Sequence, residues 1–196
     1  MTGGRAVFGE ISAEKIPLDR GELKRRLGDD FESTLSKYSD TVKALFAAVK
    51  IKYAVSEASL SVDGNTARIG DVGIDSAALS RHLSGYKSCS VIALTLGTSA
   101  DRFIKRCEAQ SPALGFVADA ISSAIADSAC YAIVGELRGE GCHSAPFAVG
   151  YADTDTDSLP HLLKIADPFR RLGITFTDAH LMIPTKSIIV IVGKMQ

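Results

Sequence analysis

The sequence has almost no net charge. Its 22 Lys and Arg residues oppose 23 Asp and Glu residues, which leaves a formal charge of −1 over 196 residues. A nucleic-acid-binding domain needs an excess of positive charge to neutralise phosphates, and a polybasic membrane anchor needs a similar excess. We therefore expect neither nucleic acid nor a membrane surface among the partners of this chain.

Long hydrophobic runs are missing as well. No stretch approaches the ~20 apolar residues that a membrane-spanning helix needs. Where a secretory signal peptide would have its apolar core, the chain carries acidic side chains, namely Glu10, Glu14, Asp19 and Glu22. These observations predict a cytoplasmic location.

Cysteine is scarce and follows no motif. None of the four cysteines forms a CxxC pair, and all lie in or next to apolar segments: Cys89, Cys107, Cys130 and Cys142. This distribution is typical of buried free thiols in a reducing compartment. Cys142 and His143 offer two metal ligands, which are too few for a site, so we predict no metal site.

Recognisable catalytic motifs are absent too. The sequence contains no GxGxxG segment, no phosphate-binding P-loop, and no Ser-His-Asp or Cys-His arrangement around a nucleophile motif. Its four histidines are scattered along the chain. Residue spacing therefore predicts no catalytic residue.

The hydrophobic periodicity predicts an α+β fold. Apolar residues recur at spacings of three and four over residues 31–49, which indicates one helix, and alternate over residues 51–55, as in a strand. The Asp-Gly-Asn sequence at 63–65 predicts a hairpin turn. The apolar run at 89–96 predicts a strand covered on both faces, and residues 112–137 predict the longest helix.

These elements predict a single domain over residues 1–196. A helical N-terminal portion at 1–50 precedes an α+β body at 51–196, in which strands pair antiparallel and helices pack against them.

One helix start near the N-terminus carries a specific signal. Asp19 is followed three residues later by Glu22, which predicts an N-cap at Asp19. We interpret Lys24, Arg25 and Arg26 as the solvated basic face of this helix.

A second helix start follows the buried strand. The turn at 97–99 (Gly-Thr-Ser) favours Ser99 as an N-cap, although strand, glycine turn and helix N-terminus are also the layout of an anion site.

The acidic run at 153–157 allows three interpretations. An EF-hand calcium loop is excluded, because Ser158 and Lys164 stand where glycine and glutamate are required. A Mg²⁺-dependent phosphotransferase would use Asp153 or Asp155, but it would need a second acidic pair that the sequence does not offer. The alternative is that these side chains are hydrated and cap the helix that begins near residue 159.

Six segments in order resemble one family, the activation (reactivation) domain of cobalamin-dependent methionine synthase in its short stand-alone form. They are IPLDRGELKRRLG at 16–28, VIALTLG at 91–97, DAISS at 119–123, GYAD at 150–153, GITFT at 173–177 and MIPTKS at 182–187.

The resemblance implies a curved antiparallel sheet and a role in methionine biosynthesis. It implies that the chain binds S-adenosylmethionine and presents its methyl group to the cobalt of cobalamin, which a corrinoid-binding methyltransferase subunit carries. A flavodoxin-like protein is the implied electron donor. Because the domain only positions a methyl donor, the resemblance implies no acid–base residue of its own.

The resemblance also implies the ligand-binding residues. Ala148, Gly150, Tyr151 and Ala152 correspond to the turn that holds the ligand, and Asp127 falls where the family has an acidic residue near the ligand's ammonium group. Tyr151 either stacks on the adenine or fills the core beneath the turn. Asp127 either meets the ammonium or is a partly buried, hydrogen-bonded acid.

The sequence departs from the family at one position. The family places an arginine four residues before the turn glycine to hold the ligand's carboxylate, and here that residue is Pro146, which has no side-chain donor. Three interpretations follow: the ligand binds weakly, another cation (Arg138 or Arg170) takes the place of the arginine, or the chain is a divergent interaction module that no longer binds the ligand.

Overall fold

The computed structural model describes residues 6–138 and 143–195. Nine strands lie in this part of the chain: β1 Val7–Ser12, β2 Lys50–Asp63, β3 Thr66–Ile69, β4 Val72–Asp75, β5 Ser88–Thr95, β6 Phe147–Ala148, β7 Thr175–Phe176, β8 Met182–Ile183 and β9 Ser187–Lys194. The α-helices there are α1 Arg20–Leu27, α2 Phe31–Lys37, α3 Ser39–Ala48, α4 Ala77–Leu83, α5 Gly97–Gln110, α6 Pro112–Arg138 and α7 Leu159–Ala166. A 3-10 turn, Ala13–Lys15, follows β1.

The main sheet is antiparallel and strongly curled. Its strands lie in the order β4-β3-β2-β5-β9-β6, and β1 lies beside β2. One edge of β2 pairs first with β1, from Lys50 to Val55, and then with β3, from Leu60 to Asp63. Its other edge pairs with β5. Strands β7 and β8 form a separate hairpin.

Helices cover both faces of this sheet, because its central strands are apolar on both sides. In β5, Ile92 and Leu94 pack toward α3, α5 and α6, whereas Val91 and Ala93 pack toward α4 and α7. All four side chains are buried. The α+β prediction with a curved antiparallel sheet is confirmed, and so is the strand covered on both faces.

We expected no segment long and apolar enough to cross a membrane, and helix α6 shows that this expectation was wrong. Its residues from Pro112 to Leu137 meet that criterion by length and composition. However, 72% of its most apolar window is buried inside the protein, where it packs against α5, α1 and α3. Burial of this kind is typical of the core helix of a globular domain.

The structure has two helices in the region 31–49, where the sequence predicted one, so this expectation was wrong. Helix α2 ends at Lys37 and α3 begins at Ser39, with Tyr38 between them outside helical geometry. Hydroxyl side chains at Ser36 and Ser39 flank the break, and such side chains compete with the helix backbone for hydrogen bonds.

The two predicted N-caps have different outcomes. Asp19 caps α1, since its Oδ1 accepts a hydrogen bond from the Glu22 amide at 2.8 Å. Ser99 is not a cap, because α5 already begins at Gly97, and the Ser99 hydroxyl donates to the Leu96 carbonyl instead.

Candidate ligand-binding site after strand β6

The turn that leaves β6 has an unusual backbone. Gly150 adopts φ +95° and Ala152 adopts φ +55°, both in the region that L-residues with a side chain rarely occupy. Thr154 holds the turn closed: its hydroxyl accepts from the Gly150 amide at 2.9 Å and donates to the Tyr151 carbonyl at 2.6 Å. The backbone of the turn is therefore held in one conformation.

The start of helix α4 holds the same turn through Asp153. The carboxylate of Asp153 accepts hydrogen bonds from the Ser76 hydroxyl and from the amides of Ala77, at 2.8 Å, and Ala78, at 3.3 Å. The hydrogen bond from Ser76, followed by those from the two amides, holds the pKa of Asp153 below its ordinary value. At the other end of α4, His82 Nε2 lies 2.9 Å from the Ala145 carbonyl oxygen.

Tyr151 projects from this turn into solvent. Its side chain belongs to a residue that is 73% exposed, so the interpretation that it fills the core was wrong. An exposed ring on a rigid turn is a surface on which a planar base can stack.

Asp127 lies on α6 and already has a protein partner. Its Oδ2 is 2.6 Å from an Nη of Arg26 on α1, and the two side chains are 29% and 25% exposed. The interpretation of Arg26 as part of a solvated basic face was therefore wrong. Leu23, on the same helix, is buried against Phe31 and Ala124, and this contact brings α1 against α6.

Two further charged side chains complete a cluster with Asp127 and Arg26. Glu22 forms an ion pair with Arg25, and its carboxylate lies 3.3 Å from Arg26 Nε. Despite this distance, Arg26 Nε has no hydrogen-bond acceptor and is buried. We call Glu22, Arg25, Arg26 and Asp127 the charge quartet; its formal charge is zero.

Arg25 is stabilised as a cation by its acidic neighbours in the charge quartet. The pKa of Arg25 is raised above its ordinary value, first by the hydrogen bond and charge of Glu22, and further by the charge of Asp127. Glu22 also lines a groove of about 830 Å³ between the start of α1 and the part of α6 that carries Ser128 and Tyr131. This volume is within the range of small-molecule pockets.

Arg170, one of the two cations suggested as a substitute for the arginine missing at position 146, does not lie near the turn. Arg170 follows Phe169, whose ring packs at 6.4 Å from that of Phe8 on β1. Strands β1 and β6 lie on opposite sides of β2, β5 and β9, so Arg170 is at the far edge of the sheet. The Arg138 side chain lies outside the described residues.

The acidic run after the turn does not form a metal centre in the part of the chain that the structure describes. Asp153 caps α4 rather than α7, which corrects that interpretation, and Asp155 accepts from the Asp157 amide at 3.0 Å. Asp157 lies 2.9 Å from His180 Nδ1. Within residues 6–138 and 143–195, no group of three His, Cys, Asp or Glu side chains is placed to hold a metal ion. A Mg²⁺-dependent phosphotransferase gains no support from this geometry.

Sequence reasoning missed the arginines of the charge quartet. Arg26 stands four residues after Glu22, a spacing that brings side chains together on a helix. Asp127, an acid in the middle of an apolar helix, also needs a partner when half-buried. The second signal could have indicated that a cation from another part of the chain meets α6 at Asp127, but neither signal identifies Arg26 as that cation.

Comparison with known proteins supports the fold. The chain is similar to the crystal structure of the MetH reactivation domain bound to AdoHcy, with a TM-score of 0.70 and 12% sequence identity. The match covers 98% of this chain and 79% of that chain. No family model matches the sequence, and no curated protein matches it. At this identity the likeness shows a common fold, and this chain has the fold of the MetH reactivation domain.

Proposed function

We propose that this protein binds S-adenosylmethionine and presents its methyl group to the cobalt of a corrinoid held by a partner methyltransferase of the methionine synthase type. The observation that carries the proposal is the likeness to a reactivation domain bound to AdoHcy (S-adenosylhomocysteine) over 98% of the chain. The product of methyl transfer from S-adenosylmethionine is this same molecule, so one site can hold both.

The turn after β6 supplies the part of the site for the nucleoside. Gly150 and Ala152 offer backbone groups whose direction is fixed by their positive φ, apart from the Gly150 amide, which already donates to Thr154. Ala148 lies in β6 itself, beside Val190 of β9. Tyr151 offers an exposed ring for the adenine. Asp127 offers a carboxylate for the ammonium group of the ligand, although in this structure that carboxylate is paired with Arg26.

In the proposed role the chain positions S-adenosylmethionine and does not need an acid or a base of its own. The sulfonium of S-adenosylmethionine is already activated toward a nucleophile, and the reduced cobalt on the partner is that nucleophile once a flavodoxin-like donor has supplied an electron. The residues of this chain hold the donor so that its methyl group faces outward. This role is consistent with the absence of a catalytic motif in the sequence.

Isothermal titration of the purified protein with S-adenosylmethionine and with AdoHcy tests the proposal. We expect binding with a Kd between micromolar and millimolar. Tyr151→Ala should weaken it by about 5- to 150-fold, the range for one base–aromatic stack, without loss of folding. Phe116→Ala, an exposed aromatic on α6, is the matched control and should leave the affinity unchanged. No heat at several millimolar of either ligand would overturn the proposal.

A second candidate is an interaction module that keeps the fold without the ligand. Two observations favour it: Pro146 offers no donor, and Asp127 is already paired with Arg26. Capture of a corrinoid-binding methyltransferase subunit with the same affinity in the presence and absence of S-adenosylmethionine would support this candidate. A dependence on the ligand would support the first one.

A further inference from the structure

We infer that the outer edge of β1 is a docking surface for a second copy of this chain. The two copies of β1 pair antiparallel about a two-fold axis at Gly9. The surface lies across β2, β5 and β9 from the turn after β6, so it is distinct from the candidate ligand-binding site. The inference goes beyond the proposed function and does not depend on it.

The edge of β1 lacks the features by which edge strands avoid pairing with another chain. Such strands usually carry lysine, proline or a bulge. Strand β1 (VFGEIS) has neither lysine nor proline, and its register with β2 runs without a bulge from Val7 to Ser12. Among the strands described in residues 6–138 and 143–195, β1 pairs with β2 alone. Its other edge is therefore open to a further strand.

An aromatic and guanidinium cluster lies beside this edge. The guanidinium of Arg171 lies 4.6 Å from the centre of the Phe8 ring and 5.5 Å from that of Phe169. Asp167 holds the segment in place, since its Oδ1 accepts from the Arg171 amide at 2.9 Å. In the part of the chain that the structure describes, Arg171 forms no ion pair. The cluster thus combines apolar rings with an unpaired positive charge, a composition typical of protein interfaces.

The sequence of β1 selects the position of the two-fold axis. With the axis at Gly9, residues 7–11 of the two strands are paired, whereas an axis at Phe8 pairs only residues 7–9. An axis at Glu10 places the two Glu10 carboxylates opposite each other, which is unfavourable. An axis between two residues opposes outward-pointing backbone groups to inward-pointing ones, so the strands would not form hydrogen bonds.

Pairing about Gly9 also brings opposite charges together. Phe8 lies opposite Glu10 of the second copy, and side chains at opposite positions have Cβ atoms about 4.5–5.5 Å apart on the same face. Arg171, stacked on Phe8, then lies beside that Glu10, and the symmetry forms this pair twice. Within its own chain Glu10 has only an exposed pair with Lys50 at 3.5 Å, which competes weakly.

The other face of the paired strands is apolar. Val7, which is 58% exposed in the single chain, lies opposite Ile11 of the second copy. The ring of Tyr53 fills the space above Gly9, where a Cβ would lie 2.3 Å from the ring. Dimer formation therefore removes an exposed apolar side chain from water on this face.

Charge reversal at the edge tests the inference. Sedimentation equilibrium measures the dimer dissociation constant of wild type, Glu10→Arg, Arg171→Glu and an equal mixture of the two variants. A dimer of either variant alone opposes like charges at both contacts, whereas a mixed dimer restores opposite charges at both. Asp155→Arg, the same reversal beside the turn after β6, is the matched control. Circular dichroism and a thermal melt check the fold of each variant.

We expect wild type to dimerise with a Kd between about 1 μM and about 1 mM, as for a small interface. Each edge variant alone should raise the Kd at least about 10-fold. The mixture and Asp155→Arg should lie within about threefold of wild type. Three results would overturn the inference: a wild type that stays monomeric at about 1 mM, a dimer that survives both reversals, or a mixture that associates no better than its components.

Discussion

The Nζ of Lys186 lies 2.7 Å from a carboxylate oxygen of Asp119 and 2.9 Å from the hydroxyl of Ser123. These contacts fasten the segment between β8 and β9 onto the first half of α6. They also join two of the segments that resemble the reactivation family, DAISS and MIPTKS.

Replacement of Lys186 by Met should destabilise the protein by about 1–2 kcal/mol, between the values for exposed and for fully buried ion pairs. The reason is asymmetric burial: the Lys186 side chain is 14% exposed and that of Asp119 is 51% exposed. Urea denaturation followed by circular dichroism measures the change. Lys50→Met removes a lysine whose pair with Glu10 is exposed, and it should change stability by less than about 0.5 kcal/mol. Equal effects of the two variants would contradict the structural role of Lys186.

Asp153→Asn should lower the melting temperature at neutral pH and flatten its dependence on pH in acid. The pKa of Asp153 is lowered in the folded protein, mainly by the Ser76 hydroxyl. Its stabilising effect is therefore complete above the unfolded pKa, about 3.9, and is lost as the pH falls through the lower folded value. Thermal melts of both proteins from pH 7 down to pH 3 check this.

The difference in melting temperature between wild type and Asp153→Asn should shrink toward the acid end of that series. A difference that stays constant with pH would show that the charge of Asp153 does not hold the turn on α4. Asp155→Asn is the matched control: Asp155 accepts a hydrogen bond from the nearby Asp157 amide, and the variant should leave the pH profile unchanged.

Gly150→Ala should destabilise the protein by about 1–3 kcal/mol, because φ +95° is strained for alanine and the new Cβ would lie 3.2 Å from Thr156 Cγ2. Gly64→Ala, in the β2–β3 hairpin, is the control. Its φ is +56° and its Cβ would meet no atom within 4 Å, so it should cost about 1 kcal/mol. Chemical denaturation of both variants gives the comparison, and a larger loss at Gly64 would contradict the tight packing of the turn.

Much of the fold could be predicted because its signals are local. The alternation in β2, the Asp-Gly-Asn turn, the apolar run of β5 and the start of α7 all follow from neighbours in sequence. The break at Tyr38 was missed because the apolar stripe continues across it, and only the hydroxyl residues beside it indicate a change of direction. Strands of two residues, such as β7 and β8, are too short to show a period at all.

The candidate site was less predictable, because its contacts join distant parts of the chain. Arg26 and Asp127 are separated by 101 residues, and Ser76 and Asp153 by 77. Hydrophobic periodicity does not indicate such contacts. They can be recognised only once the packing of α1 against α6, and of α4 against the turn, is known. The five residues nominated for the ligand came from the resemblance, and their roles stay predictions until a ligand is titrated.

Cys89 and Cys130 should resist alkylation in the native protein. Burial raises the pKa of each thiol to about 12, so a negligible fraction is the reactive thiolate at pH 8. A short pulse of iodoacetamide followed by peptide mass spectrometry should leave both unmodified, and the same pulse in denaturant should label both. Ser61→Cys, which places a thiol on the exposed part of β2, should react within the pulse and serves as the positive control. Labelling of Cys89 as fast as the introduced cysteine would mean that the core between β2, β5 and α7 opens far more often than its packing indicates.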